Sequence, residues 1–212
     1  MWEIILNIAT ASHDQRCWHY TIYNYVTGSF AIACNYSGSG CKTRVRWYGV
    51  DMHSSEFLEI LKTRQITFCS GVPDSTFSSV FQAMLDDPDI NYVNAVREDV
   101  ALGIASAAYF KNEVGAVIMQ NSGIGNVINA LTSFNLMYKI PVLIIVGWRG
   151  YSTDAPEHEI MGKKTPEFFD LLDIPYKIPD EDNLPDEIDE LLVQMETECI
   201  PGALILRSGV VQ

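Results

Sequence analysis

The chain is predicted to be an α/β protein built on a doubly wound parallel sheet with helices on both faces. Three observations predict this. From Met52 onward, short apolar runs alternate with longer amphipathic stretches. Runs such as VLIIV (142–146) are apolar on both faces, as buried parallel strands are. Polar or glycine-rich text follows four of the apolar runs, in the positions where strands of such a sheet open into loops. The 212 residues, 48% hydrophobic and 19% charged, are enough for one substantial core and belong to a folded globular protein.

The first fifty residues read differently. They hold Arg16, Lys42, Arg44 and Arg46 against Glu3 and Asp14, a net of +2 in a chain of formal charge −13. Three of the five cysteines are here, and NYSGSGCKTRVRW has neither a helical nor a strand period. The regular domain is expected to span residues 52–212. Residues 1–51 are then an atypical extension, and two readings stay open. In one, Met52 is the natural start and the extension is not native; in the other, the extension is a genuine arm that packs on a partner.

The elements follow in order. MHSSEFLEILKTRQ predicts a helix with a capping serine, an early acid and apolar Phe57, Leu58 and Leu61. ITFCSG is a strand, and DSTFSSVFQAMLDD an amphipathic helix with an Asp or Ser cap. INYVNA is a strand, and EDVALGIASAAYFKN a helix whose small residues allow close packing. VGAVIMQN, GNVINALTSFNLMYK and PVLIIVGW read as strand, helix and strand. TPEFFDLL, PYKIP, LPDEIDELLVQMETE and GALILRSG complete the alternation. Right-handed crossovers between such strands place helices on both faces.

Several classes of function are disfavoured. A net charge of −13 opposes nucleic-acid binding, which needs a basic surface. Cys17, Cys34, Cys41, Cys69 and Cys199 are odd in number and form no CxxC pair, so free thiols in a reducing cytoplasm are expected, with no metal site in this chain. No apolar run reaches the roughly 18 residues of a membrane span. IILNIATA has no basic residue before it, unlike a signal peptide.

Four loops fall on one edge of the predicted sheet: SGVPD, NAVRED, MQNSGIGN and GWRGYSTDAPEH. In MQNSGIGN the glycines permit a tight turn and close approach of a ligand. Asn121 or Ser122 can cap the helix that follows, and the exposed amides there favour an anion or a carbonyl oxygen. The same text also serves as a plain glycine turn, and neither GxGxxG nor a P-loop is present. Glu98 stands at a strand-to-helix transition; exposed, it is a first-turn acid, and buried, it is poised to share a proton. Asp74 alone reads as a helix cap. Arg149 is the only cation between Lys139 and Lys163, suited to a bidentate grip on a carboxylate, sulfonate or phosphonate. It can equally form a surface ion pair with Asp154 or Glu157.

Taken together, GVPD, a strand leading to Glu98, MQNSGIGNxxNALTSxNLxY, IPVLIIVGWRG and DAPEH resemble the pyrimidine-binding domain of the thiamine-diphosphate-dependent sulfopyruvate and phosphonopyruvate decarboxylases. The similarity runs from about Ser54 to Gly209. It implies the thiamine diphosphate-binding fold and a glutamate, here Glu98, that hydrogen-bonds ring nitrogen N1′ of the cofactor's aminopyrimidine. It implies further that Asp74 and His158 are acid/base helpers and that Gly123, Gly125 and Asn126 line the cofactor pocket. Asn121, Ser122 and Arg149 would contact the substrate, with Arg149 on its distal anion. In this family the diphosphate is held through Mg²⁺ by a GDG motif, which occurs nowhere in these 212 residues. The resemblance therefore implies an α subunit, active as a carboxy-lyase only in a hetero-oligomer whose β subunit holds the diphosphate and Mg²⁺. The expected substrate is a small anionic 2-oxo acid, sulfopyruvate first and phosphonopyruvate as the alternative. A non-catalytic module that kept the fold is the reading of another class. A nucleotide-binding domain lacks its phosphate fingerprint.

Overall fold

The computed structural model describes residues 17–24, 29–36, 44–48 and 52–212, with side chains from Met52 onward. The expectations for the IILNIATA run, for the thiols of Cys17, Cys34 and Cys41, and for the nativeness of residues 1–51 lie outside the described residues. The contacts divide the chain into two units, Met1–Asp51 and Met52–Gln212. In the first, β1 (Cys17–Asn24), β2 (Ser29–Tyr36) and β3 (Arg44–Tyr48) form an antiparallel sheet in that order. β3 lies partly within the stretch that shows no period, because five residues are too few to display one.

The second unit is a six-stranded, wholly parallel sheet. Its strands are β4 (Phe68–Gly71), β5 (Asn91–Asn94), β6 (Ala116–Gln120), β7 (Leu143–Trp148), β8 (Tyr176–Lys177) and β9 (Gly202–Arg207). They are ordered β5-β4-β6-β7-β9-β8. Alternate residues of the central strands feed two separate cores. Ile118, Ile145 and Leu204 pack with α1 (Ser54–Thr63), α2 (Ser78–Asp86) and α6 (Leu184–Glu198). Val117, Ile144 and Ile205 pack with α3 (Glu98–Ser106), α4 (Ile124–Ala130) and α5 (Glu159–Leu171). The fold is thus the predicted doubly wound sheet. The period of two along each strand, with both faces apolar, is what buries it between two helical layers.

Local details depart from the sequence reading for identifiable reasons. The cap of α1 is His53, whose Nδ1 accepts from the Ser55 amide, and not a serine. α2 starts from Phe77 with no side-chain cap; Asp74, three residues upstream, is spent accepting from the Thr76 amide. α4 widens into a π-helical stretch at Leu131–Leu136. There the Thr132 and Ser133 hydroxyls bond the Ile128 and Asn129 carbonyls and compete with the helix ladder. α5 begins at Glu159, well before the predicted TPEFFDLL, and carries Pro166 inside it. A proline removes the donor for the carbonyl four residues back. That carbonyl, Gly162 O, instead accepts from Trp148 Nε1 at 2.8 Å, so the helix runs through the proline.

Candidate functional site

The order of the strands fixes where a ligand can sit. β4 leads to β5 on one side, and α3 then carries the chain back across β4 and β6, against which it packs. The reversal opens a crevice at the carboxyl ends of β4 and β6, the place where such sheets bind ligands. The loops after β4, β5, β6 and β7 converge there, because these four strands are adjacent in the sheet.

Glu98 is the first residue of α3 and is half-buried. Its position follows from the extended backbone of Arg97, which turns the chain from β5 into the helix. Asn126, in the first turn of α4, donates from Nδ2 to Glu98 Oε2 at 2.6 Å. Gly123 presses on the same carboxylate: a Cβ there would stand 2.5 Å from Glu98 Cγ and 3.0 Å from Oε1. Only glycine lets the β6–α4 turn come this close. Gly125, by contrast, is exposed with open space around it. The opening run of the β6 loop therefore turns the corner and seats Glu98 in the same few residues.

Asn121 is buried, and its side chain faces inward. Nδ2 donates to Arg149 O and to Thr165 Oγ1, both at 2.8 Å, and Oδ1 accepts from the Arg149 amide. It ties the β6 loop to the end of β7 and to α5. Ser122 is exposed and accepts from Gln120 Nε2.

Arg149 forms a two-pronged pair with Asp154, Nε to Oδ2 and Nη2 to Oδ1, each at 2.7 Å. The amides of Gly150 and Ala155 donate to the same carboxylate. The guanidinium first, and the two amides after it, hold the Asp154 carboxyl well below the usual carboxylate range. Arg149 is raised in return, chiefly by its bond to Asp154. Its remaining Nη1 faces Ser75 Oγ at 3.4 Å. Gly150 turns at φ +73° and packs on Gly162 of α5, which places the loop against the helix.

Asp74 accepts from the Thr76 amide through Oδ1, while Oδ2 is buried with no hydrogen-bond partner among the described residues. It helps line an open cleft of about 420 Å³ with Pro73, Ser75, Ser78 and Asn94. Thr76 lies over Gly147 of β7, where a Cβ would stand 2.9 Å from its methyl carbon. His158 is half-buried at the end of the Pro156–His158 turn, and no hydrogen bond joins its ring to Glu98 or Asp74. Burial pushes the Cys69 thiol up to about 12, so this free cysteine is an inert core residue. No helix among the described residues is long and apolar enough to cross a membrane.

The structure thus joins Glu98, Gly123 and Asn126 in one cluster and Asn121, Arg149 and Asp154 in a second. Sequence reasoning did not single out Ser75, Thr76, Thr165 or Gly147. Gly147 had a signal, since it interrupts the apolar run of β7 where a neighbouring loop must cross.

Residues 54–171 match the family model for the thiamine pyrophosphate enzymes' N-terminal TPP binding domain. The sulfopyruvate decarboxylase subunit alpha of Methanococcus maripaludis is 36% identical over 146 residues, 66% of this chain and 86% of that protein. The phosphonopyruvate decarboxylase of Streptomyces viridochromogenes is 34% identical over 128 residues, 59% of this chain but 31% of that protein. The benzoylformate decarboxylase structure from Polynucleobacter necessarius superposes with a TM-score of 0.57 at 19% identity, covering 73% of this chain and 29% of that one, a likeness of fold. The chain belongs to the thiamine pyrophosphate enzymes through their N-terminal TPP binding domain, in the group of the sulfopyruvate and phosphonopyruvate decarboxylases.

Proposed function

We propose that this chain is the α subunit of a 2-oxo acid decarboxylase that converts sulfopyruvate to sulfoacetaldehyde and CO₂. One observation carries the reading: Glu98, half-buried at the crevice, has one oxygen held by Asn126 and the other uncommitted beside Gly123. A carboxylate so placed suits the ring nitrogen of an aminopyrimidine, and Gly123, where a Cβ would strike Glu98 Cγ, lets the β6–α4 turn press on the carboxyl group and seat it. Thiamine diphosphate, when bound, supplies the ring that accepts the electron pair left by departing CO₂. Glu98 holds and moves a proton at its second oxygen; Asn126 fixes the orientation of the carboxyl group; Gly123 lets α4 pack directly against it. Asn121 holds Arg149 at the rim, where a cation meets an anionic substrate. Asp74 and His158 are the candidate proton carriers on the substrate side. The diphosphate and Mg²⁺ belong, in this reading, to a separate β subunit, and the active enzyme is a cytoplasmic hetero-oligomer.

The separate-subunit reading is supported by the match across 86% and 73% of two sulfopyruvate decarboxylase α subunits, against 31% and 40% of two phosphonopyruvate decarboxylases and 31% of another sulfopyruvate decarboxylase, and sulfopyruvate is put first as the acid named for those α subunits. The test is reconstitution with the diphosphate-binding subunit, thiamine diphosphate and Mg²⁺, with CO₂ release measured from both 2-oxo acids. Release that requires both chains is expected; full activity of this chain alone would refute the split-subunit reading.

A further inference from the structure

Resting on the function proposed above, we infer that the substrate's distal anion docks between the Nη1 edge of Arg149 and the Ser75 hydroxyl, and that the carboxylates crowding this guanidinium select a singly charged sulfonate over a doubly charged phosphonate.

The geometry divides the guanidinium into two edges. Nε and Nη2 are saturated by Asp154, which is itself pinned by the Gly150 and Ala155 amides. That edge is a fixed anchor and is not available to a ligand. Among the described residues the Nη1 edge meets only Ser75 Oγ, at 3.4 Å, a length at which a hydrogen bond is weak. An anionic oxygen is a far better acceptor and would bridge the two groups. Ser75 is exposed and lines the cleft beside Asp74, so the position is open to a small molecule. Asn121 fixes the Arg149 main chain from below.

The surrounding charge decides which anion. Asp154, Asp74 and Glu157 all act on Arg149, so one positive charge faces three negative ones. Arg97, the other cation in these loops, is held by Asp99 at the head of α3. A single negative charge on the ligand is met by the Nη1 edge. Among the described residues a second charge finds no further Lys or Arg in these loops and is repelled by the carboxylates, with a loss of affinity on the order of tenfold. A sulfonate carries one charge at every pH at which the protein is folded. A phosphonate gains its second charge at roughly pH 7–8, higher than the pH of about 6 at which a phosphate ester does.

The experiment is a titration of the full chain, and of the chain with its partner, with sulfoacetate and with phosphonoacetate, followed by NMR of the Ser75 amide and the Arg149 guanidinium. Sulfoacetate should shift both signals equally well at about pH 6 and about pH 9, whereas phosphonoacetate, which loses its second phosphonate proton between them, should bind about tenfold more weakly at the higher pH. Ser75→Ala should weaken sulfoacetate about fivefold and raise the KM for sulfopyruvate by about the same factor, a larger change than in kcat. Tighter binding of the phosphonate at the higher pH, or the absence of shifts at Ser75 and Arg149 in both samples, overturns the proposal. If the complex decarboxylates sulfopyruvate and Ser75→Ala changes nothing, the subsite is wrong and the decarboxylase reading stands. If the binding pattern holds and no 2-oxo acid is decarboxylated, the subsite stands and the decarboxylase reading falls.

Discussion

Glu98 and Asp154 are both carboxylates at the carboxyl edge of the same sheet, and their surroundings are opposite. Asp154 accepts four hydrogen bonds, two from Arg149 and one each from the Gly150 and Ala155 amides. Among the described residues Glu98 accepts one, from Asn126, and its other oxygen lies against Gly123 with no hydrogen bond. A carboxylate whose acceptor sites are all used stabilises a loop and cannot exchange a proton without breaking that loop. One that is held at a single oxygen is oriented and still available. Asp74 stands between them, with one oxygen in a local turn and the other buried without a partner.

The sharpest test of this contrast is Glu98→Gln. The amide keeps the shape and loses the exchangeable proton, so CO₂ release by the reconstituted enzyme should fall by about 10²–10⁴-fold. The thermal midpoint of the chain should hardly move. An equal loss of stability and activity would mean that Glu98 is as structural as Asp154. Gly123→Ala comes next. Its new Cβ would stand 2.5 Å from Glu98 Cγ, so the carboxylate must move aside. A displacement of this kind costs roughly 10²-fold in turnover. The accompanying overpacking should destabilise the chain by about 1–3 kcal/mol, readable by denaturant titration. Asp74→Asn is expected to be milder. Asn keeps the acceptor for the Thr76 amide, so stability should stay within about 1 kcal/mol. Turnover should fall roughly tenfold if the buried oxygen serves the reaction.

How far the sequence foretold this contrast depends on the range of each interaction. The Arg149–Asp154 pair was legible because its partners are five residues apart in one loop. Glu98 was legible as a helix-head acid, and the resemblance named its role, but the bond to Asn126 spans 28 residues and belongs to the packing of α3 on α4. Asn121 reads from the sequence as a helix cap, and the resemblance makes it a substrate contact; neither points to its buried bonds. Its burial depends on Thr165, 44 residues away on a helix whose start was itself hidden by Pro166. The parallel strands were read from their apolar runs, since burial on both faces leaves a mark within a single segment. Contacts between segments leave none.

The smallest effect on turnover, and the most telling for the saturated site, is expected from Asp154→Asn. The carboxyl group of Asp154 lies below its ordinary value in the folded chain because Arg149 and two amides hold the charged form. Its stabilising contribution is therefore complete above about pH 4, the unfolded carboxyl value, and is lost as pH falls towards the folded one. In the native chain, stability should decline as acid is added through this range. In Asp154→Asn the chain should be less stable at neutral pH, and the part of the acid-dependent decline that belongs to this group should vanish. The kcat at saturating sulfopyruvate should change by less than about threefold, because the residue positions Arg149 and touches no reacting atom. Denaturant melts of both chains across pH 3 to 7 would measure this. An unchanged acid slope would show that the four hydrogen bonds do not hold the charged form, and would leave Glu98 and Asp154 alike in kind.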